Sequence, residues 1–200
     1  MMKVIVVGAT GTIGSAVASA LSKKHEVVRV GYSDGAYKVD IGSQDSIREL
    51  LSQIGKVDAI VSTTGMANFG SLDSLSDADY QLALSNKLMG QVNLVRIGRD
   101  YINDGGSVTL TSGILAHHPT PESLSISMAN AGLEGFTRAV VFGLDRGIRV
   151  NVVSPEFVRE TAEAMGMHGI GVPAEQTANA YVGSVEGSMN GEVLNIRDFI

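Results

Sequence analysis

Short apolar runs alternate with amphipathic segments along nearly the whole chain. Lys3–Gly8 (KVIVVG) is a continuous β-branched run that ends in glycine, a pattern typical of a strand buried on both faces. From Ile13 to Lys23 the apolar residues recur at helical spacing. Six further strands are predicted at His25–Gly31, Lys38–Ile41, Val57–Ser62, Gly106–Ser112, Ile148–Ser154 and Glu192–Ile196. Further helices are predicted at Ser43–Gln53, Ser76–Tyr101, Ser123–Leu144 and from Ala174 onward.

This alternation predicts an α/β fold, a Rossmann-type doubly wound parallel sheet of about seven strands with helices on both faces. The chain has 200 residues, 44% of them hydrophobic, which is enough to bury one α/β core. We find no internal repeat, low-complexity segment or linker. Residues 1–200 are therefore predicted to form a single domain.

Composition narrows the classes of function. The chain contains no cysteine, which excludes disulfides, thiolate catalysis and cysteine-based metal sites. His117 and His118 are adjacent, which is poor spacing for chelation, so no metal is expected. The net charge of −6 gives no indication of a positively charged surface that would bind nucleic acid or an anionic membrane. No apolar run is long enough to span a bilayer and no signal-peptide pattern is present, so we expect a cytoplasmic protein.

A glycine-rich loop separates the first predicted strand from the first predicted helix. It reads Gly8-Ala-Thr10-Gly11-Thr12-Ile13-Gly14. Glycines at these positions permit a tight turn and close backbone approach, and the helix N-terminus presents free N–H groups to a pyrophosphate. In this context the loop favours dinucleotide binding over a purely structural turn.

Residues Ile126–Arg138 read ISMANAGLEGFTR and resemble the active-site helix of the short-chain dehydrogenase/reductase family, usually YxASKAALxGFTR. The second half matches closely, but Ile126 stands where the family has its tyrosine and Asn130 where it has its lysine. The resemblance extends from Lys3 to Ile196. It identifies the chain as an atypical member that lacks both catalytic residues.

The resemblance implies further cofactor positions. They are Asp40 and Ile41 beside the adenine, Ser62, Thr63, Thr64 and Gly65 after the fourth strand, and Pro155 and Val158 near the nicotinamide. Gly31 stands where NAD-preferring members carry aspartate, while Tyr32 is placed to stack on adenine and Ser33 to bond a 2′-phosphate. Asp34 opposes that phosphate. We therefore expect NADP, with NAD as the alternative.

Two residues are candidates for catalysis. Ser112 matches the family's serine, although a serine at a strand end also makes local turn bonds. Lys87 stands where the family has an asparagine, so lysine and asparagine are exchanged between positions 87 and 130. We expect Lys87 to lie in the cofactor cleft near Asn130; the alternative is a solvated helix-surface lysine. His117 and His118 are either acids beside the substrate or parts of an exposed loop.

The predicted function is that of an NAD(P)(H)-dependent oxidoreductase with a non-standard active site, acting on a small molecule that the sequence does not identify. The alternative is a catalytically degenerate nucleotide-binding protein, a sensor or scaffold. Without a tyrosine, ketone reduction should be slow, and substrates such as an iminium carbon should be favoured. The resemblance also implies a homodimer or homotetramer formed through the two long helices.

Overall fold

A computed structural model describes all 200 residues as one seven-stranded sheet in which every strand pair is parallel. The strands are β1 (Lys3–Val7), β2 (Glu26–Gly31), β3 (Tyr37–Lys38), β4 (Val57–Ser62), β5 (Ile102–Thr111), β6 (Arg149–Ser154) and β7 (Val193–Asn195). The helices are α1 (Thr12–Leu21), α2 (Gln44–Ile54), α3 (Asp77–Leu82), α4 (Met89–Gly98), α5 (Leu124–Val140), α6 (Arg159–Ala164) and α7 (Ala174–Glu186). The predicted fold class is confirmed. None of these helices has the length and apolar content to cross a membrane.

The strand order is β3-β2-β1-β4-β5-β6-β7. The chain builds outward from β1 to β3, then returns to the other side of β1 and continues to β7. At this reversal the loops that follow β1 and β4 leave the sheet in opposite directions, which opens a crevice at the carboxyl ends of the strands. The topology therefore places the glycine-rich loop and the segment after Ser62 on the two sides of one crevice.

Both faces of the sheet are buried under helices. Along β1, Ile5 and Val7 pack in the core that lies under α2, α4 and α5, whereas Val4 and Val6 pack in the core under α1 and α7. All four side chains are at most 1% exposed. This two-sided burial is why the strand reads as an unbroken apolar run rather than an alternating one.

Some predicted boundaries differ from the structure. The helix predicted at Ser76–Tyr101 begins at a capping box formed by Ser76 and Asp79, but a π-helical segment, Ala83–Leu88, divides it into α3 and α4. The helix predicted at Ser123–Leu144 ends at Val140, where a 3₁₀ turn follows. The third strand, predicted at Lys38–Ile41, is Tyr37–Lys38, so it begins one residue earlier and ends three residues earlier than predicted. Beyond it the Asp40 N–H bonds to the Ser46 hydroxyl and not to a neighbouring strand.

A buried glutamine completes the hydrogen bonding at the end of β5. The ladder between β4 and β5 ends at Val61 and Thr109. Two residues later, the Gln91 side chain accepts a bond from the Thr111 N–H (2.9 Å) and donates one to the Thr111 carbonyl (2.9 Å). The Thr111 hydroxyl donates to the Ser62 carbonyl (2.6 Å). The Gln91 bonds hold α4 against the end of β5, and the Thr111 hydroxyl bond holds β5 to β4, at the point where the chain continues into Ser112.

We predict that Gln91→Leu lowers the free energy of unfolding by about 2–4 kcal/mol, because two buried backbone groups of Thr111 lose their partners. Urea unfolding followed by circular dichroism measures this. Gln53→Leu is the matched control, since Gln53 is exposed and bonds only to Glu49. An equal effect of the two substitutions would contradict the role of Gln91.

Candidate functional site

The glycine-rich loop brings the end of β1 against the first turn of α1. Gly8 has a φ of +87°, and a Cβ on Gly14 would lie 2.0 Å from the Gly8 carbonyl oxygen, so neither position accommodates another residue without movement. Gly11 is the N-cap of α1 and offers no side-chain cap. The N–H groups of Thr12 and Ile13 in the first turn are therefore left without an intrahelical acceptor and are available to an anion.

A first cleft of 280 Å³ opens beside this loop, at the switch point of the sheet. It is bounded by the segments that follow β1, β2 and β4. Its lining consists of Val7, Gly8, Thr10, Gly11, Gly31, Tyr32, Val39, Asp40, Ile41, Thr63, Thr64, Gly65, Met66 and Asn86. The structure thus brings together the glycine loop, the predicted adenine-side pair and the segment after β4.

Four predicted cofactor residues are not in the lining of this cleft or of the second cleft described below. Thr12 and Gly14 lie in the first turn of α1. Ser62 is fully buried and its hydroxyl lies 3.0 Å from the Thr64 hydroxyl. Ser33 is exposed and donates to the neighbouring Asp34 carboxylate (3.1 Å). These four residues shape the loops or lie beside the clefts.

The end of β2 carries no acidic side chain towards the first cleft. A Cβ on Gly31 would lie 2.1 Å from the carbonyl oxygen of Asp34, so the backbone itself excludes a side chain there. Tyr32 follows with its residue surface 68% exposed. A nucleotide bound in this cleft would therefore meet an aromatic ring, and no carboxylate, at the position after β2.

A second cleft, of 240 Å³, continues on the other side of the glycine loop. Ile126 and Asn130 on successive turns of α5 form one wall, and Pro155 and Val158 after β6 form another. Its complete lining is Ile13, Phe69, Ser112, Gly113, Ile114, Leu115, Ile126, Asn130, Pro155, Glu156, Phe157, Val158, Thr161 and Met165. Most of these side chains are apolar.

Asn130 lines the second cleft and carries a buried hydrogen-bond acceptor that has no partner. The residue is 1% exposed, and its amide nitrogen donates a long bond to the Gly113 carbonyl (3.4 Å). Its Oδ1 is buried and has no partner. An unpaired buried acceptor costs about 1–3 kcal/mol, so this atom points to a ligand that brings a donor.

Lys87 is buried, which excludes the solvated helix-surface alternative, but it is not among the residues that line either cleft, and no contact joins it to Asn130. It lies in the π-helical segment, is 7% exposed, and its aliphatic stem packs on Gly65, where a Cβ would lie 2.6 Å from Lys87 Cγ. No carboxylate lies within 4 Å and no hydrogen bond reaches its ammonium group. Burial lowers the pKa of Lys87 to about 8.

Asn86, the residue before Lys87, is a site residue that the sequence did not reveal. It is 7% exposed, lines the first cleft and accepts a hydrogen bond from the Met66 N–H (2.9 Å). The only signal in the sequence is a second polar residue beside Lys87. The π-helical turn brings both of these neighbouring residues into buried positions.

Ser112 lines the second cleft, and its hydroxyl bonds to a carboxylate that the sequence analysis did not identify. Its hydroxyl donates to Glu134 Oε1 (3.1 Å) and lies 3.4 Å from the Val153 carbonyl. Glu134 is 2% exposed, its Oε2 lies 2.6 Å from His117 Nε2, and Arg138 approaches that oxygen at 3.6 Å. His118 instead lines a neighbouring cavity of 280 Å³.

Glu156 stands where the family has the glycine of its SPG motif. Both oxygens of its carboxylate accept bonds from the Arg197 guanidinium, at 2.5 and 2.6 Å. These bonds hold the pKa of Glu156 below its usual range. The ion pair neutralises a carboxylate in the wall of the second cleft and ties the segment after β6 to the 3₁₀ turn after β7.

Comparisons with known proteins agree with this geometry. Residues 8–186 match the family model described as enoyl-(acyl carrier protein) reductase. Hydroxynaphthalene reductase arp2 of Aspergillus fumigatus is 27% identical over 151 residues, which cover 73% of this chain; that alignment spans only 55% of the relative.

Two solved structures are similar over almost the whole chain. The protein lin1944 from Listeria innocua has a TM-score of 0.94 at 41% identity, covering 98% of this chain and 99% of that one. A small-chain dehydrogenase in complex with NADPH has a TM-score of 0.86 at 27% identity, covering 96% and 95%. This chain belongs to the short-chain dehydrogenase/reductase family.

Proposed function

We propose that the protein is an NADP(H)-dependent oxidoreductase that acts on a small, largely apolar substrate through a non-standard active site. The observation that carries this proposal is the position of the glycine-rich loop between two clefts. Gly8 and Gly11 line the first cleft, and Ile13, in the first turn of the same helix, lines the second. A ligand with two ends joined by a pyrophosphate matches this arrangement.

The residues present fit a nicotinamide dinucleotide. The first cleft would hold the adenosine end beside Asp40 and Ile41, and the N–H groups at the start of α1 would hold the pyrophosphate. The nicotinamide end would lie in the second cleft beside Pro155 and Val158, with the free Asn130 Oδ1 as an acceptor for a ligand donor. When bound, the nicotinamide supplies or accepts a hydride.

Two observations support NADP over NAD. The backbone at Gly31 excludes the carboxylate that would pair with a ribose 2′-hydroxyl and repel a 2′-phosphate. The neighbour described above, at 27% identity, binds NADPH. Tyr32 lines the first cleft, and Ser33, the next residue, is exposed beside it. The opposing charges are Asp34, next to Ser33, and Asp40 in the lining of the cleft. NAD remains the alternative nucleotide.

For catalysis we propose that Ser112 supplies the hydrogen bond to the reacting oxygen and that Lys87 supplies positive charge from the opposite helix. Ser112 lines the second cleft, while Ile126, at the tyrosine position, has no proton to give. Lys87 has no carboxylate to neutralise it. A desolvated cation acts on developing negative charge more strongly than a solvated one.

The second candidate function is nucleotide binding without turnover, as in a sensor or scaffold. The observation that favours it is the absence of a tyrosine hydroxyl at Ile126 in a cleft that is otherwise well formed. Turnover of a carbonyl compound by the purified protein separates the two functions.

Under either function we propose that copies of the chain assemble through α4 and α5, where Met89 and Met128 are 39% and 42% exposed.

Nucleotide binding is tested at Gly11, where a side chain fits. A Cβ there would lie 3.4 Å from the Gly8 carbonyl, an ordinary contact, and Asp and Asn are both good N-caps, so both variants should fold. We predict that Gly11→Asp weakens NADPH binding about 10- to 100-fold more than Gly11→Asn, because only the carboxylate repels the pyrophosphate. Calorimetric titration measures this. Equal affinities of the two variants would count against the assignment.

We predict that Lys87→Met stabilises the ligand-free protein by about 1–3 kcal/mol at pH 7, because a buried unpaired cation is removed. The folded-state pKa of Lys87, about 8, is below the unfolded value of 10.5. The unfolded state therefore binds more protons between these values, and the destabilisation, complete below pH 8, disappears as the pH rises towards 10.5.

Denaturant unfolding at pH 7 and pH 9.5 checks both statements, with exposed Lys23→Met as the control. The advantage of Lys87→Met over the wild type should narrow at the higher pH. An advantage that stays constant with pH would show that Lys87 is not the titrating group.

The missing tyrosine is tested by restoring it. We predict that Ile126→Tyr combined with Asn130→Lys reduces a simple ketone about 10²–10⁴-fold faster than the wild type, the usual contribution of a positioned general acid. The control is Ile126→Phe with Asn130→Lys, which keeps the ring and lacks only the hydroxyl. NADPH consumption is followed by absorbance. If the wild type reduces the ketone as fast as the double variant, the absence of a tyrosine at position 126 does not limit the reaction.

A further inference from the structure

We propose that Ser112, Glu134 and His117 form a proton path between the second cleft and solvent. The proposal rests on the proposed oxidoreductase function and adds a route for the proton that the reaction needs. Ser112 is the group that touches the reacting oxygen. Glu134 and His117 act through Ser112 and are positioning and relay residues.

The path is continuous from the cleft to the surface. Ser112 lines the second cleft, is 4% exposed and donates to Glu134 Oε1 at 3.1 Å. The other oxygen of the same carboxylate, Oε2, lies 2.6 Å from His117 Nε2. Glu134 is 2% exposed, whereas the His117 side chain is 53% exposed. One buried carboxylate therefore joins a cleft hydroxyl to a solvent-accessible imidazole.

No other buried polar side chain in the wall of the second cleft connects it to a titratable group at the surface. Ile126 is aliphatic, and the amide of Asn130 is committed to the Gly113 carbonyl. Both oxygens of Glu156 are held by Arg197. A carboxylate placed only for packing would not need to be buried with one oxygen turned to a cleft hydroxyl and the other to a surface histidine.

The proton transfers balance over one cycle of carbonyl reduction. The substrate oxygen, left as an alkoxide after hydride reaches the carbonyl carbon, takes the proton of the Ser112 hydroxyl. The His117 imidazolium gives its Nε2 proton to Glu134 Oε2 and becomes neutral, and a half-turn of the carboxyl group carries that proton to the Ser112 side. Ser112 Oγ takes it, and the neutral imidazole regains one proton from solvent, which is the net proton that carbonyl reduction consumes. The reverse order serves alcohol oxidation, and no residue changes charge over the cycle.

The test compares isosteric variants of the path. Glu134→Gln keeps hydrogen-bonding groups beside Ser112 and His117 but cannot carry a proton. We expect it to lower kcat for reduction of 2-tetralone with NADPH about 10²-fold, and His117→Gln about 10-fold. The NADPH dissociation constant, measured by calorimetry on the same variants, should change by no more than about twofold, because neither residue lies in the first cleft.

The pH profile separates proton transfer from simple positioning. His117 faces Glu134, and the only other charged group against that carboxylate is Arg138. The fall in wild-type rate with rising pH should vanish in His117→Gln. The matched control is a second histidine–glutamate pair, His25 with Glu186, where His25→Gln and Glu186→Gln should leave rate and profile unchanged.

The results that would overturn the path are distinct from those that would overturn the proposed function. Wild-type kcat and pH dependence in Glu134→Gln would overturn the path. NADPH binding by the wild type without reduction of 2-tetralone would also overturn it and leave nucleotide binding intact. Failure of the wild type to bind NADPH would overturn the proposed function, and the path with it.

Discussion

The close contact between the end of β1 and the first turn of α1 governs the rest of the site. With the Gly14 α-carbon packed on the Gly8 carbonyl, α1 starts directly against the sheet and its free N–H groups face the crevice. Any side chain at Gly14 would push the helix away from the strand. Both clefts depend on this contact, because their shared wall is the loop that it fixes.

The sequence predicted the fold well because burial on both faces leaves a strong pattern. Strands such as β4 and β6 read as apolar runs that no surface segment would carry. The glycine loop could also be recognised in the sequence, because its residue types follow from local steric limits and not from contacts with distant segments. The boundaries of the less regular helices and strands were predicted less accurately. A single π-helical turn inside a longer helix has no residue signature of its own, so Ala83–Leu88 could not be distinguished in advance.

The polar part of the site was only partly predictable, because its contacts join distant segments. Glu134 precedes Arg138 by four residues on α5, which reads as an exposed helical ion pair. Glu134 is buried because Ser112 and His117, on the segment that follows β5, hydrogen-bond to its carboxylate. Lys87 was found through the family resemblance, but its burial against Gly65 depends on a turn that the sequence does not show. Contacts of this kind, between segments that are far apart in the sequence, can be identified only once the fold is known.

The Asp34 carbonyl oxygen lies so close to Gly31, at the end of β2, that it limits how this chain could evolve. Cofactor preference in this fold is commonly changed by exchanging one side chain after the second strand. Here the Asp34 carbonyl fills the space of a Gly31 side chain, so no single codon change at that position introduces a tolerated carboxylate. A lineage that acquired a carboxylate at that position would have to remodel residues 31–34 together. The turn therefore restricts the residue at the end of β2 through the shape of the backbone and not through a side chain.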